Sequence, residues 1–245
     1  MQEQHMTNEE LLRGAFRAAG VELSDAQVQA FLSYADLLVR RNEEVNLTAI
    51  TEFPDIAVKH FVDSAALYLR HPELFSDGAR FVDVGSGAGF PGIVLKILAP
   101  QIELTCLDSL RKRLDFLKEL AESLGLQGVS FVHARAEDAG RDPVLRESFD
   151  VAVARAVAGM PVLCEYCAPL VRLGGVFAAF KGKDGAAEAD QAARAASLLG
   201  CGALQTEEYV LAGTDFGRAL ILAPKTAPTP NKYPRKAGTP GRQPL

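Results

Sequence analysis

The stretch that decides the reading is residues 79–92, Ala-Arg-Phe-Val-Asp-Val-Gly-Ser-Gly-Ala-Gly-Phe-Pro-Gly. Phe81 to Val84 form a brief apolar run of β-branched and aromatic residues, which predicts a short buried strand. Glycines follow at Gly85, Gly87, Gly89 and Gly92. Ile93 to Leu98 then read as an apolar helix, and Pro91 suits its first turn, where a missing N–H costs little. Strand, glycine turn and helix together bring bare backbone and a helix N-terminus up to a ligand. A tight turn with glycines present only for packing is the plain alternative, but four in eight residues exceed what one turn needs.

Gly87, Gly89 and Gly92 spell G-x-G-x-x-G, a weak sign of a dinucleotide site when it stands alone. Asp83 lies inside the strand, and the strand starts about 80 residues into the chain; both details argue against that reading. An aspartate followed by Gly-x-Gly-x-Gly resembles the motif of class I S-adenosylmethionine (SAM) methyltransferases. Asp83, Gly85, Gly87 and Gly89 are therefore candidate cofactor residues.

A chain of 245 residues with 48% hydrophobic content fits one large domain with at most a small extension. Its net charge of −5 gives no global sign of nucleic-acid binding. The charge is uneven, since residues 225–245 hold Lys225, Lys232, Arg235, Lys236 and Arg242 and no acid. No apolar run reaches eighteen residues and the N-terminus is polar, so neither a membrane span nor a signal peptide is expected, and the cytoplasm is the natural compartment. Cys164 and Cys167 form C-x-x-C in an apolar helical stretch, where two buried thiols are favoured over a redox pair. No metal-ligand spacing occurs.

Residues 1–72 read as a helical cap. Asn8 to Ala19 look helical, and Ser24 to Gln27 is a capping-box signature before an amphipathic helix over about 25–42. A further helix is expected over Pro54 to Leu69, placing Ile56, Lys59, His60 and Asp63 on one face. On that spacing Lys59 can pair with Asp63, and His60 can reach Asp63 or Ser64; a solvated ion pair beside a surface histidine explains the pattern equally well.

Residues 73–224 read as the main domain. After the glycine motif come strands at Glu103 to Leu107, Val129 to Val132, Phe149 to Ala154 and Val176 to Phe180, alternating with helices. A hairpin through Gly213 closes the sheet with strands near 205–211 and 218–223. The fold class is thus α/β: a mostly parallel, seven-stranded Rossmann-like sheet with helices on both faces, plus the N-terminal cap. Asp108 ends the second strand, where such folds hydrogen-bond a ribose; a helix N-cap role is compatible. Arg111, Lys112 and Arg113 open the next helix against its dipole, which hints at a phosphate partner. Residues 225–245, proline-rich and basic, read as a disordered tail that can fold on RNA.

The match is closer than fold class. Asn46-Leu47-Thr48, Lys59-His60-Phe61-Val62-Asp63-Ser64, Gly85 to Gly92, Leu107-Asp108-Ser109, Arg135-Ala136-Glu137 and Ala154-Arg155-Ala156 occur in this order. Together they resemble the bacterial small-subunit ribosomal RNA methyltransferase G family, also called glucose-inhibited division protein B, over roughly residues 40–240. The tail from Thr229 to Pro240 is similar to that of many members. The resemblance implies SAM-dependent methylation of guanine N7 in 16S rRNA, with naked rRNA or the small ribosomal subunit as partner. It implies cofactor contacts from Gly85 and Phe90, from Asp108, Ser109 and Leu110 on the ribose side, from Ala136 and Glu137 beside the adenine, and from Arg155. Nothing in the chain demands an obligate dimer, so a monomer is expected.

The Asp/Asn-Pro-Pro-Tyr/Phe motif of amino-group methyltransferases is absent; Ala154-Arg155-Ala156-Val157 stands in its place. Guanine N7 has an in-plane lone pair and no proton, so its methylation needs alignment and electrostatics rather than a general base. Arg155, Lys59, His60 and Lys181 are the candidate catalytic residues in positioning roles, the lysines and histidine also for guanine O6 or phosphate contacts. The competing readings are a methyltransferase with a protein or small-molecule substrate, a nicotinamide-dependent oxidoreductase, and a non-enzymatic RNA-binding module.

Overall fold

The computed structural model describes residues 6–245; the first five residues of the cap lie outside the described residues. The cap opens with α1 (Asn8–Ala18) and α2 (Asp25–Val45), each started by a capping box, at Thr7 with Glu10 and at Ser24 with Gln27. α2 runs past the expected end near 42 and stops at Asn46, which adopts φ 52°, ψ 61°, a conformation asparagine tolerates better than most residues. Asn42 fixes the loop that follows: its Oδ1 accepts from the backbone of Leu47 and Thr48 at 2.7 and 2.8 Å.

The next segment departs from a continuous α-helix. A single turn, α3 (Phe53–Asp55), passes into a π-helix over Ile56–Val62 and then into α4 (Asp63–Arg70). The wider π turn shifts every later residue around the axis, and such turns gather at functional sites. Lys59 pairs with Asp55, four residues before it, at 2.8 Å, and Asp63 is taken by Arg155 and Arg218. Ser64 Oγ donates to the His60 carbonyl rather than to its ring.

The main domain comprises β1 (Arg80–Val84), α5 (Gly92–Leu98), β2 (Glu103–Asp108), α6 (Arg111–Ser123), β3 (Val129–His133), α7 (Ala136–Ala139), β4 (Phe149–Arg155), α8 (Met160–Cys167), β5 (Val171–Gly182), α9 (Gly185–Leu198), β6 (Gln205–Val210) and β7 (Gly217–Pro224). The sheet order is β3-β2-β1-β4-β5-β7-β6. Strands β1 to β5 pair in parallel, and β7 lies antiparallel between β5 and β6.

Side chains alternate across the sheet, so each face builds its own core. Phe81 shares one core with Phe16, Phe31 and Phe61 of the cap and with Ile93 and Leu104. Val82 and Val84 face the other way, toward Leu163, Phe177, Ala192 and Ile221. The cap thus covers one sheet face, and burying each of its phenylalanines contributes roughly 1.5–3 kcal/mol. All four cysteines are free and buried. Burial pushes the Cys164 thiol up to about 12, which fits packing rather than redox chemistry. Among the described residues no helix is long and apolar enough to cross a membrane.

The tail is not disordered. It straps across the far side of the sheet, with Lys225, Thr229 and Tyr233 buried and a short closing helix, α10 (Thr239–Arg242). Two of its cations meet internal acids. Lys225 Nζ lies 3.2 Å from Glu147, and Arg235 forms a forked pair with the fully buried Glu165, the shortest arm 2.6 Å. Arg146 donates to the carbonyls of Thr229 and Tyr233 at 2.6 and 2.9 Å. The expectation failed because composition registers cations and prolines but not the acids waiting 70 to 82 residues upstream.

Candidate functional site

Strand order reverses beside β1, where β2 lies on one side and β4 on the other. In open α/β sheets, ligands sit outside the carboxyl ends of strands at such a switch point. Three adjoining cavities open there.

The glycine loop forms their floor. Gly85 and Ser86 donate to the Leu107 carbonyl at 2.8 and 3.1 Å, closing the loop over the end of β2. Gly87, at φ +56°, donates to Asp108 Oδ2 at 2.9 Å, and a Cβ added there would meet nothing nearer than 3.7 Å. Its bare face is open. The other two glycines of the motif serve packing. A Cβ on Gly89 would come within 2.5 Å of the Tyr34 hydroxyl, and one on Gly92 within 2.6 Å of Asp83 Oδ2.

Asp83 is correspondingly not part of a cavity wall. It is fully buried beneath the loop, its Oδ2 accepting from Gly92 N–H at 2.9 Å while Oδ1 has no partner. Burial raises its pKa to about 7, although the Gly92 bond opposes the shift. Its placement is that of a brace for the start of α5.

The first cavity, about 260 Å³, is lined by Gly85, Asp108, Ser109, Ala136, Glu137 and Tyr166, among others. Asp108 accepts from Gly87 on one oxygen and from Leu110 N–H, at 2.8 Å, on the other. Each oxygen keeps a lone pair for a further donor. Leu110 itself is exposed and contributes only that N–H. Glu137 is buried and accepts from the backbone of Gly238 in the tail at 2.7 Å.

The second cavity, about 200 Å³, lies between the glycine loop and the cap, with Thr48, His60, Phe90, Arg113 and Arg155 in its wall. His60 stacks on Phe90 with ring centroids 4.4 Å apart, and the Arg155 guanidinium sits 5.0 Å from the same ring. Arg155 donates from Nη1 to Asp63 at 2.9 Å and to the Lys59 carbonyl at 3.2 Å, and from Nη2 to His60 Nδ1 at 3.2 Å. Arginine has no acceptor, so Nδ1 must accept. Burial, helped by the Arg155 charge, depresses the His60 pKa to about 3. His60 is therefore a neutral ring with both nitrogens engaged, and it is no general base.

The third cavity, about 400 Å³, holds Lys59, Asp63, Lys181, Glu188 and Arg218 beside Arg155. Lys181 Nζ bonds Glu188 and the Ala158 carbonyl, each at 2.7 Å. Asp63 is buried between Arg155 and Arg218, each 2.9 Å away. Ala156, at φ +57°, borders all three cavities.

Of the residues singled out from sequence, Gly85, Asp108, Ser109, Ala136 and Glu137 meet at the first cavity, Gly87, Phe90, His60 and Arg155 at the second, and Lys59 and Lys181 at the third. Gly89, Asp83 and Leu110 stand behind them. Sequence reasoning gave no role to Thr48 or Arg218. Thr48 lay within a quoted motif, whereas Arg218 sits in a strand with no local signal.

A family model described as rRNA small subunit methyltransferase G (GidB) matches residues 27–213. A "Ribosomal RNA small subunit methyltransferase G" of Lactobacillus delbrueckii subsp. bulgaricus is 48% identical over 97% of this chain and 100% of its own length. That of Lactobacillus acidophilus is 51% identical over 91% of this chain and 93% of its own. Among solved structures, a putative O-methyltransferase from Klebsiella pneumoniae superposes with a TM-score of 0.58 over 86% of this chain and 95% of its own, at 16% identity, which speaks to fold alone. The chain belongs to the rRNA small subunit methyltransferase G family and is a methyltransferase of the class I fold.

Proposed function

We propose that the chain methylates N7 of a guanine in 16S rRNA, drawing on SAM seated across the first two cavities. The residues present fit that cofactor. Asp108 offers two lone pairs to ribose hydroxyls, and Ala136 and Glu137 border the space for adenine. The open face of Gly87 is a cradle that any side chain would fill. When bound, SAM supplies an electrophilic methyl group on a sulfonium. In this reading residues 1–72 supply Thr48, His60 and Asp63, residues 73–224 supply the loop and Arg155, and residues 225–245 brace Glu137.

One observation carries the choice of N7: the cavity that holds Arg155 and the glycine loop has no carboxylate in its wall, and its one histidine is not free to take a proton. His60 is neutral with both nitrogens engaged, and Asp83 is walled off from every cavity. A ring nitrogen with its own lone pair needs no proton removed, whereas a hydroxyl or amine does. Arg155, held by three partners, keeps the base in line for attack, and such alignment can supply several kcal/mol. Lys59, Lys181 and Arg218 line the third cavity, where guanine O6 and the RNA backbone offer acceptors. On this reading the protein acts on rRNA in the cytoplasm, as a monomer.

Small subunits from cells lacking this protein, incubated with it and labelled SAM, test the reading. A single N7-methylguanine in 16S rRNA, located by chain scission at the modified base, is expected. Label on an exocyclic amine, a ribose or a protein would overturn it.

A further inference from the structure

Adenine also carries an N7 lone pair, so alignment with a methyl donor does not by itself select guanine. The two purines differ beside N7. Guanine presents O6 as an acceptor and N1–H as a donor, whereas adenine presents an N6 amine and a bare N1. The third cavity holds a pair of matching polarity. Lys181, near the end of β5, gives two of its three ammonium hydrogens to the Ala158 carbonyl and to Glu188 Oε2, each at 2.7 Å. Glu188, in the first turn of α9, also accepts from the Met160 backbone N–H on Oε2, at 3.0 Å. One ammonium hydrogen and the other carboxylate oxygen, Oε1, are left without a partner among the described residues. Asp63, the other carboxylate lining this cavity, has Oδ1 on Arg218 and Oδ2 on Arg155. Glu188 keeps 33% of its side chain exposed, so it is held yet reachable.

We infer that Glu188 is a specificity-determining residue: its free oxygen accepts from N1–H of the target base while Lys181 donates to O6, so the cavity takes guanine and turns adenine away. The inference rests on the N7 reading above and adds the group that chooses between the purines. With adenine both contacts reverse, an amine meeting the ammonium and a bare N1 meeting the carboxylate, and polar groups left unpaired in this way give such sites their discrimination. The N1–H edge is free only in an unpaired base, the form in which enzymes draw a base into a pocket. Ala156 lines this cavity and both cavities assigned to the cofactor, so a base held here lies next to the methyl donor. A clip between the starts of α8 and α9 accounts for the bonds on Oε2 but leaves Oε1 unused. An RNA phosphate does not suit Oε1, because like charges repel.

Small subunits rebuilt with guanosine, inosine or 2,6-diaminopurine at the methylated position test the inference, read as single-turnover transfer of label from SAM. Inosine keeps O6 and N1–H and lacks only the N2 amine. 2,6-Diaminopurine keeps N7 and the N2 amine but carries adenine's N6 amine and bare N1. Wild type should methylate guanosine and inosine at similar rates and 2,6-diaminopurine at least about tenfold more slowly, as expected for one paired edge against a mismatched one. Glu188→Gln keeps its oxygen on Lys181 and Met160 and turns an amide N–H toward the base. Guanosine should then slow by about tenfold, and its lead over 2,6-diaminopurine should narrow by a similar factor. Wild-type rates that are equal on all three bases, refusal of inosine, or an unchanged ratio of guanosine to 2,6-diaminopurine in Glu188→Gln each overturn the inference. The wild-type comparison decides it even where the variant does not fold. If wild type labels guanosine at an atom other than N7, or not at all, the N7 reading itself fails and this inference fails with it.

Discussion

Gly238 donates its backbone N–H to Glu137 Oε1 at 2.7 Å, so the tail is tied to the wall of the cavity assigned to adenosine. The neighbouring anchor is Arg235 on Glu165, which is buried to 1% side-chain exposure. Removing one partner of a buried pair costs about 3–5 kcal/mol. Glu165→Gln should therefore lower stability by about 3 kcal/mol and weaken S-adenosylhomocysteine binding several-fold, read by denaturant unfolding and calorimetry.

Asp63 holds two arginines in one place. Asp63→Asn leaves Arg155 and Arg218 with uncompensated charge and one acceptor oxygen between them, the second replaced by an amide donor. A misplaced positioning group costs on the order of 100-fold in rate, so single-turnover methylation should fall by about that factor. Arg155→Lys should do the same, because an ammonium cannot reach Asp63, the Lys59 carbonyl and His60 in one planar fork.

Much of this was legible in the chain before folding. The apolar run from Phe81 to Val84 and the glycines after it fix a strand and a turn through local geometry alone, and the end of β2 placed Asp108. Other features depend on partners distant in sequence. The π turn at Ile56–Val62 leaves no trace in hydrophobic spacing, and the spacing that lets Lys59 reach Asp63 lets it reach Asp55 equally well. Gly89 reads as a cofactor glycine, yet Tyr34 crowds it. The role of Glu137 as a tail anchor required Gly238, 101 residues later.

Two buried groups tilt stability in opposite directions with pH. Asp83 is raised to about 7, so the folded state holds its proton longer than the unfolded chain does. Its contribution is full below about pH 4 and is lost as pH rises to about 7, at about 1.4 kcal/mol per unit. His60 is depressed to about 3, so its contribution is full above about pH 6.5 and is lost as pH falls toward 3. Asp83→Asn should gain on wild type as pH rises from 4 to 7, and His60→Gln should gain on wild type as pH falls from 6.5. Urea unfolding across pH 4 to 8 checks both signs.

Tyr34 links the cap to the glycine loop, donating to the Ala88 carbonyl at 2.6 Å from a fully buried position. Tyr34→Phe should cost about 1–2 kcal/mol, the price of a buried acceptor left without its donor. Gly89→Ala should cost more, since its Cβ would press on the Tyr34 oxygen at a φ of +98°. It should also weaken S-adenosylhomocysteine binding, because the loop must shift. Thermal melts with and without that ligand separate the two effects.

A crystal structure of the protein with S-adenosylhomocysteine is the most direct test. The account predicts the ribose hydroxyls on Asp108, the adenine beside Ala136 and Glu137, and the sulfur facing the junction at Ala156. A ligand bound away from the ends of β1 and β2, or bound with its adenine against the cap, would contradict it.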